Sequence, residues 1–315
     1  MNHVPDFDER VSAARRALVL GIGGGGDVVG SLAVARRCQQ LGAEPVLGGV
    51  AWERMPIDPH PGPRSVAQIR GGRRVGEHIV LADGSTTTPE GVPFSESRVA
   101  AHLGAETVLV DITAGASGAA LGVAAAAAEL DCDLVVFVDI GGDAIAAGRE
   151  PGLASPLCDA VMLAAAIELD REHSVAGAVL GAGCDGELEP RNVLERVAAL
   201  GRAGAWTGTW GVTAEIADQV EAAAAATGTE ASLQVVRCAR GETGLTAIRG
   251  GRRQVRLSPL GAIAFFFDPA LGAAELPLAR AVGGSTSLEQ AHAALAEIGV
   301  RTELDYERGR AREVG

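Results

Sequence analysis

Five aspartates in this chain stand where an apolar run ends: Asp27 after ALVLGIGGGG, Asp111 after TVLV, Asp139 and Asp143 within LVVFVDIGGD, and Asp185 after AVLGAGC. Carboxylates in such places hold hard divalent cations or act as general bases. Asp139, Asp143 and Asp185 are the expected catalytic groups. The same three are the expected ligands of Mg²⁺, which takes one or two carboxylates together with phosphate oxygens. An anion would be met by other residues. Gly23, Gly24, Gly25 and Gly26 form an unbroken run, which is entropically costly to order. The expected return is backbone N–H groups that approach an anion closely. Arg54, Arg64 and Arg149 are the expected clamps for phosphate or carboxylate. Asp27, Glu53, Asp111, Thr113, Gly141, Gly142 and Gly183 complete the expected ligand-binding set, and helix starts at Ser117 and Ser155 offer further anion sites. Two plainer readings stand beside this one: a tight turn at the glycines with no ligand, and aspartates that only cap the helices after them.

These residues need a frame that brings them to one edge. Residues 17–20 are an apolar run and residues 28–41 have helical spacing, so a strand, a glycine turn and a helix open a βαβ unit. The pattern recurs with strands at 45–51, 107–110, 134–138 and 175–180, and helices at 93–103, 115–129, 157–169 and 190–200. Strands without alternation require a parallel sheet covered on both faces. In such sheets ligands bind outside the carboxyl ends of the strands, where strand order reverses. The expected fold is α/β: a doubly wound, mainly parallel Rossmann-like sheet with helices on both faces, a central first strand and a small β-hairpin insertion.

One α/β domain over residues 1–315 is expected, with core βα repeats in 1–200, an insertion at 53–92, and a C-terminal extension in 201–315 completing the sheet. In the insertion, MPIDPHPGPRS holds four prolines and reads as an extended loop that walls the site together with Glu53. Residues 77–84 read as a hairpin. Further on, strands are expected at 207–210, 233–236 and 262–267, helices at 212–226, 270–281 and 287–298, and a hairpin at 245–257. An edge strand at 302–306 and a frayed tail after Glu307 close the chain.

Composition excludes several chemistries. The formal net charge is −13 at pH 7, which argues against a nucleic-acid partner. All 27 basic residues are arginine, so Schiff-base chemistry, pyridoxal phosphate attachment and a Walker-type lysine are excluded. Five scattered cysteines without a CxxC pair, and histidines without ligand spacing, argue against zinc and against a disulfide framework. The first residues lack a secretory pattern and no apolar run reaches the length of a membrane span. The expectation is a cytoplasmic protein with a small-molecule ligand and no membrane partner. Self-association into a homo-oligomer is left open.

The combination GIGGGGDVVGS, WERMPIDPHPGPRS, VDITAG, VDIGGDAIAAGREPGLASPLCDA and GAGCDGEL resembles the DUF1152 family of archaeal and actinobacterial proteins, over most of the chain. Locally, residues 21–27 with Gly30 are also similar to the glycine–Asp/Asn motif of D-glutamate cyclases. That similarity implies a loop able to serve a small metabolite carrying carboxylates.

The favoured function is a small-metabolite enzyme, a transferase or hydrolase, that binds a phosphorylated or nucleotide-like ligand at the glycine-rich loop with help from Mg²⁺. Three alternatives stay open: a metal-free lyase or cyclase using an aspartate base, a metabolite-binding protein without catalysis, and an NAD-binding Rossmann protein. Gly21, Gly23 and Gly26 do spell G-x-G-x-x-G. Glu53, however, lies 27 residues beyond Gly26, whereas the ribose-binding acid is expected about 20 on.

Overall fold

The computed structural model of the chain describes residues 4–55, 57–170 and 172–314. Its strands are β1 (Arg16–Gly21), β2 (Glu44–Val50), β3 (Arg73–Val75), β4 (Ile79–Ala82), β5 (Thr107–Val110), β6 (Leu134–Ile140), β7 (Ser174–Leu180), β8 (Trp206–Gly211), β9 (Gly244–Ile248), β10 (Arg253–Leu257) and β11 (Ile263–Phe267). Its helices are α1 (Phe7–Ala13), α2 (Asp27–Gln40), α3 (Ser95–Leu103), α4 (Gly115–Glu129), α5 (Pro156–Leu169), α6 (Pro190–Arg202), α7 (Ala214–Thr227), α8 (Ala231–Ala239), α9 (Pro277–Val282), α10 (Leu288–Glu297) and α11 (Glu303–Val314).

A strand that is apolar at every position has two faces to bury. Leu18 and Leu20 of β1 enter the core beneath α4, α5, α6, α9 and α10. Ala17 and Val19 enter the opposite core beneath α1, α2, α7 and α8. The nine-stranded sheet has the order β3-β4-β5-β2-β1-β6-β7-β11-β8, with β1 in its middle. The pairs β5–β2, β2–β1, β1–β6 and β6–β7 are parallel. Antiparallel additions finish both edges, β4 and β3 beside β5, and β11 and β8 beside β7. The chain runs outward from β1 through β2 to β5, returns through α4 to β6, and continues to β7. Strand order therefore reverses between β1 and β6, and the loops after these two strands diverge to opposite faces. This is the doubly wound, Rossmann-like arrangement expected of the strand pattern.

Several local expectations are corrected. Residues 233–236 are helical within α8, where the consecutive Val235 and Val236 are both buried and join the core beneath α2 and α7 together with Cys238, which one face of a strand would not allow. Residues 302–306 start α11 instead of an edge strand, and the helix runs to Val314 where fraying was expected. The signal lay in Thr302 and Asp305: the Asp305 carboxylate accepts the Thr302 amide at 3.0 Å, the reciprocal arm of a helix start. Residues 270–281 divide at Pro277, which begins α9. The hairpin of the insertion turns at residues 76–78, so that β4 is free to pair with β5. Among the described residues, no helix is long and apolar enough to cross a membrane.

The proline-rich loop is held as a firm wall, although Pro56, one of its four prolines, lies outside the described residues. Arg64, whose side chain is 2% exposed, grips the buried Asp58 through Nε and Nη2 at 2.7 and 2.6 Å and also reaches Glu90. Trp52 donates from Nε1 to Glu307 Oε2 at 3.1 Å, and the Gly62 amide donates to the same oxygen at 2.8 Å. The loop is thereby tied to α11. Arg64→Leu would leave Asp58 buried without its partner, a change that costs roughly 3–5 kcal/mol. Urea denaturation should show that loss, and adding Asp58→Leu should recover a large part of it.

Candidate functional site

The carboxyl ends of β1, β6 and β7 carry the chemistry. Asp27 is the first residue of α2, directly after the glycine run, and its Oδ2 accepts the Gly23 amide at 3.0 Å. Asp139 is the penultimate residue of β6, and Asp143 opens the short turn that follows. Asp185 and Glu187 lie in the loop after β7, and Asp159 in the first turn of α5. Carboxylate oxygens of Asp27, Asp139 and Asp159 lie within 4.8 Å of one another, as do those of Asp143, Asp185 and Glu187. Gly141 permits this approach, since a Cβ there would strike the Asp185 side chain. All but Asp27 are at least nine-tenths buried, and Asp27, Gly25 and Gly26 stay partly exposed and mark the mouth.

Burial dominates the electrostatics. It pushes Asp27 up to about 7, against the Gly23 hydrogen bond and the charge of Arg54. Asp185 is likewise raised to about 7 by burial and by Glu187, with Arg253 pulling the other way. Burial and neighbouring aspartates hold Asp139, Asp143 and Asp159 well above the ordinary carboxylate range. Glu187 behaves oppositely. Burial alone would raise it, but Arg253 and donors from Ser155 and Ala154 outweigh that and hold it below its usual value.

Three arginines approach the acids. Arg54 stacks on Trp52, 4.3 Å from the ring centroid, donates to the Gly23 carbonyl and pairs with Glu303 at 3.2 Å. Arg253, on β10, pairs with Glu187 at 2.6 Å and donates to the Asp185 carbonyl at 3.2 Å. Arg249, at the turn between β9 and β10, feels Asp185 and Glu187 but has no ion pair of its own among the described residues. Its φ is +53°, a conformation that costs a non-glycine residue about 1–2 kcal/mol.

The helix starts expected to receive a ligand anion are already occupied. Glu303 accepts the Leu157 and Cys158 amides at the start of α5, each at 2.9 Å, and Glu187 accepts the Ala154 and Ser155 amides at 2.6 and 2.9 Å. At α4, the Ala116 and Ser117 amides go to Ser285. In the glycine run, Gly23 donates to Asp27 and Gly25 to the Trp52 carbonyl at 2.9 Å, leaving the Gly24 and Gly26 amides without an acceptor among the described residues. Gly24 and Gly25 have φ of +73° and +57°, which other residues rarely adopt. Side chains at Gly23 and Gly26 would run into Asp27 and Thr229, so part of the run answers to internal packing.

Of the residues singled out in the sequence, the fold brings together the glycine run, Asp27, Arg54, Asp139, Gly141, Gly142, Asp143, Gly183 and Asp185. The others have different tasks. Glu53 is buried and accepts the Ser95 amide at the start of α3, which turns it away from the ribose hydroxyls that a dinucleotide reading requires. Arg64 braces the proline loop. Asp111 accepts the Val66 and Thr113 amides at 2.7 and 2.8 Å. Arg149 is exposed beside Pro277, Arg280 and Val300, in an open depression of about 420 Å³. A second depression of about 260 Å³ lies at the amino-terminal edge of the sheet, lined by Arg16 and Glu44. Neither reaches the carboxylates. The sequence reading missed Asp159, Glu187, Arg249, Arg253 and Glu303. Asp159 did carry a signal, as the lone charge among the first ten residues of an apolar helix. The arginines carried none.

The family model described as "Protein of unknown function (DUF1152)" matches residues 18–311. The chain belongs to the DUF1152 family. The matched span takes in all six carboxylates and the three arginines of the site. No curated protein and no solved structure matches this DUF1152 chain.

Two predictions follow from the burial of these groups. Aspartates with raised folded-state pKa values contribute stability while protonated; for Asp27 and Asp185 it is full below an unfolded value of about 4 and lost as pH rises through about 7. Glu187, held low, acts only in the acidic range. Metal-free protein should therefore melt at a lower temperature at about pH 8 than at about pH 5, and a rising profile in differential scanning calorimetry would contradict the burial argument. Separately, Glu303→Ala would strip two amides and Arg54 of their acceptor, costing about 3 kcal/mol, readable in urea denaturation.

Proposed function

We propose that this protein binds a small anionic metabolite, most simply a phosphate-bearing one, at the crevice between β1 and β6, and acts on it with the help of a divalent cation. One observation carries the reading: six carboxylates and three arginines, supplied by strand ends, helix starts and loops far apart in sequence, converge where the strand order of a doubly wound sheet reverses. That is where open α/β sheets bind ligands. Carboxylates repel an anion, so the acidic floor and an anionic ligand are reconciled by a cation between them. The Gly24 and Gly26 amides and the unpaired Arg249 supply donors at the mouth. With no lysine in the chain, planar arginine forks and the cation are the groups able to neutralise charge developing on phosphate.

Thermal-shift screening against nucleotides, sugar phosphates and dicarboxylates, with and without Mg²⁺, tests the reading. A ligand at a hundred times its Kd stabilises by about 2.7 kcal/mol. The expected result is a shift with a phosphate-bearing compound that grows when Mg²⁺ is present. Arg249→Gly should relieve backbone strain, leave unliganded stability unchanged or higher, and weaken the ligand about tenfold, equivalent to about 1.4 kcal/mol. Absence of any shift across the phosphate compounds would refute the proposal.

A further inference from the structure

The six carboxylates are unequal as cation ligands. Glu187 accepts from the Ala154 and Ser155 amides, the Ser155 hydroxyl and Arg253. A carboxylate has about four lone-pair positions, so Glu187 is filled and its charge is matched. Without it, Asp143 and Asp185 leave only two ligands on that side. The other trio is open. Asp139 Oδ1 and Asp159 Oδ1 have no donor, against the single such oxygen, Asp185 Oδ2, among Asp143, Asp185 and Glu187, although Asp139 and Asp159 are each only 1% exposed. Buried polar oxygens without a partner are rare and unfavourable. One carboxylate oxygen from each of Asp27, Asp139 and Asp159 lies within 4.8 Å of the others. Two oxygens bound to one ion at the Mg²⁺ distance stand about 3.0 Å apart when cis and about 4.2 Å when trans, so side-chain rotation alone closes this triangle. The trio contains no nitrogen or sulfur ligand, which selects a hard cation.

We infer that Asp27, Asp139 and Asp159 hold a single divalent cation of the Mg²⁺ or Mn²⁺ kind, with Asp143 and Asp185 outside its coordination. The trio expected from sequence was Asp139, Asp143 and Asp185, and the exchange of two members follows from where α2 and α5 begin. The ion site deepens the proposed function and rests on it only for what the ion faces. Its ligands are fixed by β6, α2 and α5 whether or not an anion binds.

The test is calorimetric titration of Mn²⁺ into chelator-treated protein without any other ligand, paired with thermal melts. The wild-type chain should bind one Mn²⁺ and melt higher with it. Asp159→Asn keeps the shape and removes a carboxylate ligand. It should fold as the wild type does, by circular dichroism, yet bind Mn²⁺ at least about tenfold more weakly. Asp143→Asn should keep Mn²⁺ affinity within about threefold. No binding by the wild type, two ions per chain, undiminished affinity in Asp159→Asn, or an equal loss in Asp143→Asn would overturn the assignment. Mn²⁺ binding with no response to phosphate compounds would sink the ligand reading and keep the ion, and the converse result would sink the ion alone.

Discussion

Burying like charges together is the constraint on which the rest of this molecule turns. Two carboxylates about 4 Å apart repel by about 4 kcal/mol at an effective dielectric constant near 20, and here six share one end of a sheet. Such an arrangement persists only if protons, arginines, helix starts or a bound cation balance it. The protein supplies the first three of these itself. Arg253 balances Glu187, burial and neighbouring acids raise the aspartates and so favour their protonated forms, and the positive end of α5 faces Asp159, Glu187 and Glu303 at once. A helix start favours negative charge by a few tenths to about 1 kcal/mol, too little to settle six carboxylates alone.

The same constraint explains why distant segments meet there. Glu303, from the last helix, supplies the acceptor for the first amides of α5 and the counter-charge for Arg54. Its neighbour Glu307, one helical turn further, takes Trp52 and Gly62. The proline-rich loop, the glycine loop and α11 are thus one connected wall, held by charged hydrogen bonds and not by apolar contact alone. The β9–β10 hairpin closes the other side, with Arg252 reaching the Tyr306 hydroxyl at 3.3 Å.

Arginine performs every cationic task in the site. A guanidinium keeps its charge under burial and offers donors in two directions. Arg54 uses that to hold the Gly23 carbonyl and Glu303 while lying flat on Trp52. An ammonium group could not stack and bridge in the same way.

Some of this was legible in the chain alone. Apolar runs such as residues 107–110 and 134–140 show no alternation, so a parallel sheet covered on both faces was the one arrangement that could bury them, and that put Asp27, Asp139, Asp143 and Asp185 at one edge. The family was legible in its glycine and aspartate motifs, through a match covering residues 18–311. What the sequence could not contain is the pairing of groups far apart along it. Residues 302–306, Thr-Glu-Leu-Asp-Tyr, looked like a strand because Leu304 and Tyr306 alternate with two acids and so short a segment has no unique local preference. Its helical state, and the role of Glu303, come from docking against α5 some 145 residues away. Arg64 and Glu53 were singled out because exposed and buried charges are identical in sequence, and only the fold supplies their partners Asp58 and Ser95. Local propensity and periodicity decided the sheet, whereas the choice of which carboxylates stay unpaired was made by long-range hydrogen bonds that exist only once the chain has folded.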